Sequence, residues 1–203
     1  MLGNTLFVEE SYDRLREIAP TVGLATFLDR DWKVTVREAG RVLGAEGRME
    51  RALEDYEQRI EQFRSPSDVE GVTASLVNFR DQDDINLYTD SCARDVLDEV
   101  GFDRPPGHPS EDPDQHRMQI SIERLPEVDA DVLFYFVGSA ATGPAAAAAE
   151  TRRIQSNPLW GQLEAVRQER VYETDPRWWF SCGSVQAAER ILDDLFDLFV
   201  DAR

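Results

Sequence analysis

Asp131-Val132-Leu133-Phe134-Tyr135-Phe136-Val137 is an unbroken apolar run of strand-forming residues. It does not alternate apolar with polar, so both faces of such a strand need cover, as in an interior strand of a parallel sheet. Toward the amino terminus, Val72-Thr-Ala-Ser-Leu-Val-Asn-Phe79 reads as another buried strand. Ile85-Asn-Leu-Tyr88 follows as a second extended piece after the polar turn at 80–84. Toward the carboxyl terminus, Arg170-Val-Tyr-Glu-Thr174 is the last strand.

Helical spacing fills the gaps. Asp90 is a candidate cap for a helix carrying Ala93, Val96, Leu97 and Val100 and closed by Gly101. Ser121 caps a short helix with Ile122 and Leu125, and the alanine run at 145–149 opens another. Pro158-Leu-Trp160 begins a shorter helix running through Val166. The final helix sets Val185, Ala188, Leu192, Leu195 and Phe199 at three- and four-residue steps, and 103–116 is a Pro- and Asp-rich loop. Strands alternating with helices predict an α/β fold, a three-layer α/β/α sandwich with a mostly parallel sheet.

Upstream the pattern is helical. Residues 12–18 form a short helix stopped near Pro20. Trp32, Val36, Ala39 and Leu43 mark a second helix, ending at Gly44. Met49, Leu53, Tyr56, Ile60 and Phe63 mark a third, long and charged between its apolar positions. At about 1.5 Å per residue it spans roughly 27 Å, enough to cross a domain or join two.

The chain has 203 residues, a formal charge of −18 and 41% hydrophobic residues. That excess of acid argues against nucleic acid and anionic lipid as partners. Four Trp and ten Phe give the chain apolar surface to bury, which argues against disorder. No apolar run reaches the roughly 18 residues of a membrane span. The first ten residues have no basic segment and no long apolar core, so the reading is of no export signal in this chain. Cys92 follows the second strand and Cys182 the last, near one sheet edge; a bridge or two free thiols both stay open. Two histidines far from any cysteine give no metal-ligand spacing. No nucleophile elbow, phosphate loop or dinucleotide fingerprint is present.

In open α/β sheets, ligands bind at the carboxyl ends of strands. Those ends carry Arg80, then Gly138-Ser139, then Asp175-Pro-Arg-Trp178-Trp179-Phe180. A guanidinium and an aromatic cluster suit a planar or anionic guest. The plainer alternative pairs Arg80 with Asp81, Asp83 or Asp84 and puts the Trp pair in the core.

Taken in order, Tyr12-Asp-Arg-Leu, Ser75-Leu-Val-Asn-Phe-Arg80, Ile85-Asn-Leu-Tyr88, Ile120-Ser-Ile-Glu-Arg-Leu125, Asp129-Ala-Asp-Val-Leu133, Pro158-Leu-Trp160 and Val171-Tyr…Trp179…Gly183 resemble the iron-siderophore substrate-binding proteins of bacterial ABC importers. The resemblance implies two α/β lobes joined by one long helix, with a ferric chelate held between them. It implies residues 1–30 as a remnant of the amino-terminal lobe, 31–66 as a helical segment including the joining helix, and 67–203 as the carboxy-terminal ligand-binding lobe. It further implies Arg80, Tyr88, Trp178 and Trp179 as ligand-binding residues, with Asn78 replacing an arginine common at its position. Glu123 is implied to dock an ABC permease, exposed and away from Arg80 and Trp179; capping the helix after Ser121 is its alternative. The resemblance implies no intrinsic cofactor, a ferric siderophore as guest, and a periplasmic or lipoprotein-anchored location for the full-length form. A chelatase-like enzyme or a regulatory module on the same scaffold is the alternative. If much of one lobe is missing, Tyr56 and Ile60 are expected to lose cover and the chain to self-associate.

Overall fold

The computed structural model describes residues 2–4, 9–24, 31–80, 84–108, 116–139, 141–180 and 182–201. The apolar runs become strands β3 (Ala74–Phe79) and β6 (Val132–Val137), every residue of which is buried. With β4 (Asp84–Tyr88), β5 (Arg117–Ser121) and β7 (Val171–Glu173) they form a sheet in the order β5-β4-β3-β6-β7. The pairs β3–β6 and β6–β7 are parallel, whereas β3–β4 and β4–β5 are antiparallel. The sheet is therefore mixed. The link between β3 and β4 is far too short for the crossover that a parallel pair requires.

Strand β5 falls between the loop expected over 103–116 and the helix expected after Ser121, a stretch for which the sequence predicts no element. Its Arg-Met-Gln-Ile-Ser sequence exposes three of five residues, as an edge strand can. Ser121 does stand before a 3-10 segment (Ile122–Val128), but its hydroxyl makes no capping bond.

One sheet face carries Ala74, Leu76, Val132, Phe134 and Phe136 and is covered by α3 (Glu46–Arg64), α4 (Cys92–Val100) and α8 (Val185–Phe199). The other carries Val77, Phe79, Leu133, Tyr135 and Val137. It packs on Leu125, Ile154, Trp160, Leu163 and their neighbours. These come from the 3-10 segment, from α5 (Pro144–Gln155), and from a 3-10 turn (Trp160–Gln162) leading into α6 (Glu164–Arg167). The sequence expectation of one helix from Pro158 is thus split at Leu163, whose backbone is extended.

Upstream lie β1 (Leu2–Asn4) and β2 (Val22–Leu24), a separate two-stranded parallel pair, with α1 (Tyr12–Ile18) between them. Next comes α2 (Trp32–Leu43), capped by the Asp31 side chain and closed by left-handed Gly44. Gly40 lets α2 approach α3: a Cβ there would meet Met49 Cγ at 3.0 Å. The cap of α4 is Ser91, which accepts from Arg94 N, and not Asp90.

The long helix is bound tightly to the first sheet face. Tyr56 is buried, donates to Glu99 Oε2 at 2.7 Å, and Lys33 reaches Glu99 Oε1 at 2.8 Å. Arg59 pairs with Glu189 and, at 2.9 Å, with Asp193 of α8. Tyr56 and Ile60 are thus both buried within this chain, Tyr56 also against the Trp32 ring of α2, correcting the expectation that they lose burial. Among the described residues, the exposed large apolar side chains instead fall between Leu2 and Leu43.

Cys92 and Cys182 form a disulfide with Cα atoms 5.4 Å apart. The two do not share a strand-end edge as the sequence had it, because β4 runs opposite to β7. They meet because α4 packs beside α8 over the same sheet face.

Candidate functional site

The carboxyl ends of β3, β5, β6 and β7 lie at one edge of the sheet, since these four strands run the same way. At β3 the chain leaves through Arg80, whose backbone N–H donates to Asp84 O at 2.9 Å and closes the turn into β4. The Arg80 side chain is exposed and has no ion-pair partner among the described residues. Asp81 and Asp83, two of its alternative partners, lie outside the described residues.

Beside it, β6 leaves through Gly138, which donates to Phe79 O at 3.0 Å. Gly138 has φ +71° and a Cβ there would meet Thr142 Oγ1 at 2.1 Å, so only glycine fits. Thr142 Oγ1 in turn accepts from Ser139 N at 2.9 Å. These contacts draw the start of α5 close to the end of β3.

At β7, buried Thr174 bonds Tyr135 O through its N–H, at 2.7 Å, and its hydroxyl, at 3.1 Å. Asp175 then caps α7 (Pro176–Trp179) and grips the Arg177 guanidinium, Nε to Oδ2 2.8 Å. That hydrogen-bonded pairing holds the Asp175 carboxyl below the usual range. Arg177 is therefore already committed to Asp175, whereas Arg80 has no such partner among the described residues.

The two tryptophans separate. Successive residues of a helical turn point about 100° apart, so only one can enter the core. Trp179 does so: it is 1% exposed, stacks on Phe134 with centroids 5.1 Å apart, and donates Nε1–H to Asp194 Oδ2 at 2.8 Å. Its side chain does not face the edge, which corrects its expected role. Trp178 is half-buried beside the same core and keeps part of its surface open.

Tyr88 is also displaced. Because β4 is antiparallel to β3, Tyr88 sits three residues, about 10 Å, down the sheet from the Phe79–Ile85 pair that ends at Arg80. Its ring packs on Phe136, centroids 5.9 Å apart. Glu123 is exposed, as docking requires, but it follows β5 at the same edge as Arg80, two strands away, rather than on a remote face.

Sequence reasoning missed a feature between these residues. Asn78 of β3 is opposite Asn86 of β4, and Asn86 is opposite Gln119 of β5. Directly opposed residues share a face, so three carboxamides cross three strands in a row. Asn78 is 0% and Asn86 2% exposed, yet Asn78 Nδ2 and Oδ1 and Asn86 Nδ2 have no hydrogen-bond partner among the described residues. Asp84 Oδ1 and Tyr88 Oη, on the rungs either side, are likewise buried and unpartnered there. The available signal was asparagine at the middle of two apolar strands, where it is disfavoured.

No group of three or more His, Cys, Asp or Glu among the described residues is placed to hold a metal ion. A cavity of about 270 Å³ lies on the second sheet face, lined by Leu87, Pro105, His108, Ile120, Pro126 and neighbours. It includes none of the residues expected to bind.

A sequence model of the periplasmic binding protein family matches residues 1–178. The chain is 31% identical over 212 residues to the probable siderophore-binding lipoprotein YfiY of Bacillus subtilis, covering 100% of this chain and 63% of the relative. It is 26% identical to an achromobactin-binding periplasmic protein of Dickeya dadantii, covering 89% of this chain and 59% of that one. The chain thus spans less than two thirds of these relatives' length. Its fold superposes on Staphylococcus aureus SirA complexed with staphyloferrin B, with TM-score 0.81 and 27% identity over 97% of this chain and 69% of that one. The strand-end geometry and the match over most of its length agree: the chain belongs to the periplasmic binding protein family.

Proposed function

We propose that this chain is the ligand-binding part of an extracytoplasmic substrate-binding component of an ABC importer, capturing a ferric siderophore and delivering it to a permease without chemistry on the guest. The observation that carries this is the Arg80 guanidinium, exposed at the strand-end edge and without an ion-pair partner among the described residues, on the edge from which β6 leaves through Gly138 and β7 leads to half-open Trp178. A guanidinium bonds carboxylate or catecholate oxygens in pairs, and an indole supplies an apolar wall. Relatives named for siderophores, achromobactin and ferric citrate support the guest class.

In this reading residues 67–203 are the carboxy-terminal lobe, 31–66 include the helix that joins it to an amino-terminal lobe, and 1–30 belong to that second lobe. The exposed apolar residues between Leu2 and Leu43 are the surface that the rest of the second lobe covers, and a surface for self-association without it. Glu123 is the permease contact: exposed, on the edge that carries the guest, and without an ion-pair partner among the described residues. Arg80, Trp178, Tyr88 and Glu123 remain the assigned binding and docking residues, with Trp179 as their support.

The test is tryptophan quenching by a panel of ferric chelates, with uptake measured in cells. Arg80→Ala is expected to weaken the bound chelate at least tenfold. Glu123→Arg is expected to abolish uptake with affinity unchanged, since a like charge at an interface costs more than a lost pair. Quenching by no chelate, or normal uptake with Glu123→Arg, overturns the respective assignment.

A further inference from the structure

The Gln119-Asn86-Asn78 row is unexplained by folding. Buried carboxamides are almost always hydrogen-bonded, because an unmet amide loses its water and gains nothing. Leucine or valine in the same strand positions would pack without that loss, so asparagine here works against stability. Residues that break the rule of a core without a structural return are expected where something else binds.

The row has a direction. On one side, Asn78 is opposite Phe136 of β6, which closes the inner end, and Phe180 backs that ring at 5.9 Å. On the other, Gln119 lies on exposed edge strand β5, so the row opens to solvent there. Neighbouring strands lie about 4.8 Å apart, so the row runs roughly 10 Å from Gln119 to Asn78. Asp84 is one rung above and Tyr88 one rung below on the same face, each with a buried oxygen that has no partner among the described residues.

The chemistry of the row differs from that of the edge. Asn78 offers an acceptor and two donors, Asn86 donors, Tyr88 either, and Asp84 an acceptor. That set carries no positive charge and includes a carboxylate, so it disfavours a bare anion. It suits a neutral group that both donates and accepts, such as an amide or a hydroxyl.

We propose that the Gln119-Asn86-Asn78 row is a hydrogen-bonding subsite for an uncharged amide- or hydroxyl-bearing arm of the guest, inserted from the β5 side while Arg80 engages its anionic part. The proposal rests on the reading of this chain as a chelate binder. Specificity then lies in the arm: a chelate with amide-bearing arms gains contacts that a compact carboxylate chelate cannot make. The rival occupant is ordered water, which can also satisfy buried amides.

Nitrogen-15 NMR of the chain distinguishes them, because it detects millimolar binding and resolves each Asn side-chain NH₂. Diamagnetic gallium(III) stands in for iron, as its chelates with citrate, a trihydroxamate and a catecholamide. The expected result is that an amide-bearing chelate moves the side-chain NH₂ signals of Asn78 and Asn86 together with the backbone signals of Arg80 and Ser139. Movement of Arg80 and Ser139 with both side-chain amides still overturns the subsite and leaves the chelate reading intact. Movement of nothing by any chelate overturns that reading and the subsite with it. A second measurement uses Asn78→Leu and Asn86→Leu. Each is expected to keep or raise the melting temperature and to weaken the amide-bearing chelate at least tenfold. A lower melting temperature with unchanged chelate affinity assigns the amides to structural water and overturns the subsite.

Discussion

The region between Leu2 and Leu43 and the five-stranded lobe obey different packing rules. In the lobe every residue of β3 and β6 is buried, helices cover both faces, and the disulfide crosses one of them. In the upstream region a two-stranded parallel pair stands apart from that sheet, and Ile18 at 77% and Leu43 at 58% exposure lead a set of uncovered apolar side chains. Parallel strands are normally buried on both faces, because their backbones and side chains alike need cover. Among the described residues there, the apolar cover of a core is found on the α2 face that carries Trp32, Val36 and Gly40. Stability is therefore concentrated downstream of Asp31, and the upstream apolar surface is available for contact with other protein.

The largest effect that would sharpen this contrast is loss of the disulfide. Cys92 and Cys182 are separated by 90 residues, so chain entropy alone assigns the bridge about 4–5 kcal/mol. Urea melts of the Cys92→Ala, Cys182→Ala double variant are expected to show a loss of that order. Hydrogen exchange should quicken in β3 and β6 and stay unchanged in β1 and β2. An equal change in both regions would break the contrast.

Next in size is the tryptophan pair. Trp179→Ala removes a stacked, hydrogen-bonded core residue and is expected to cost about 3–5 kcal/mol. Trp178→Ala is expected to cost clearly less and to weaken chelate binding instead. Equal destabilisation by the two would mean that α7 presents both indoles to the core.

Asp95 gives a pH effect confined to the lobe. Burial, reinforced by Asp90, Glu99 and Asp98, pushes its carboxyl up to about 7. The native state holds this proton between about pH 4 and 7 where the unfolded chain releases it, so the contribution is present at low pH and lost as pH rises through about 7. Asp95→Asn is expected to stabilise the protein at pH 8 by on the order of 1–3 kcal/mol, with little gain at pH 4. Melts at the two pH values check it; equal gains at both would remove the titration from the account.

The smallest change in stability belongs upstream. Ile18→Asn with Leu43→Gln is expected to alter the unfolding free energy by no more than about 0.5 kcal/mol, as exposed positions do. Self-association in sedimentation should fall. A loss of several kcal/mol would show that these side chains are part of a core.

Local rules in the sequence determined the covered strands, the long helix and the carboxyl ends of α2 and α4. An unbroken apolar run, three- and four-residue spacing and Gly44 and Gly101 at stops all act within a few residues of the chain. The edge that carries Arg80 was legible for the same reason, since it follows from strand order and the known place of ligands in such sheets. Tertiary structure alone decided the rest. Strand β5 exists because β4 offers its backbone an edge to pair with, not because Arg-Met-Gln-Ile-Ser favours a strand. Trp179 rather than Trp178 entered the core because of how α7 is rotated against Phe134. Cys92 and Cys182 met because two helices lie side by side, and the row of Gln119, Asn86 and Asn78 formed because an antiparallel register aligned three strands. Residues far apart in sequence become neighbours only when register and rotation are fixed, and those depend on burying the whole surface at once.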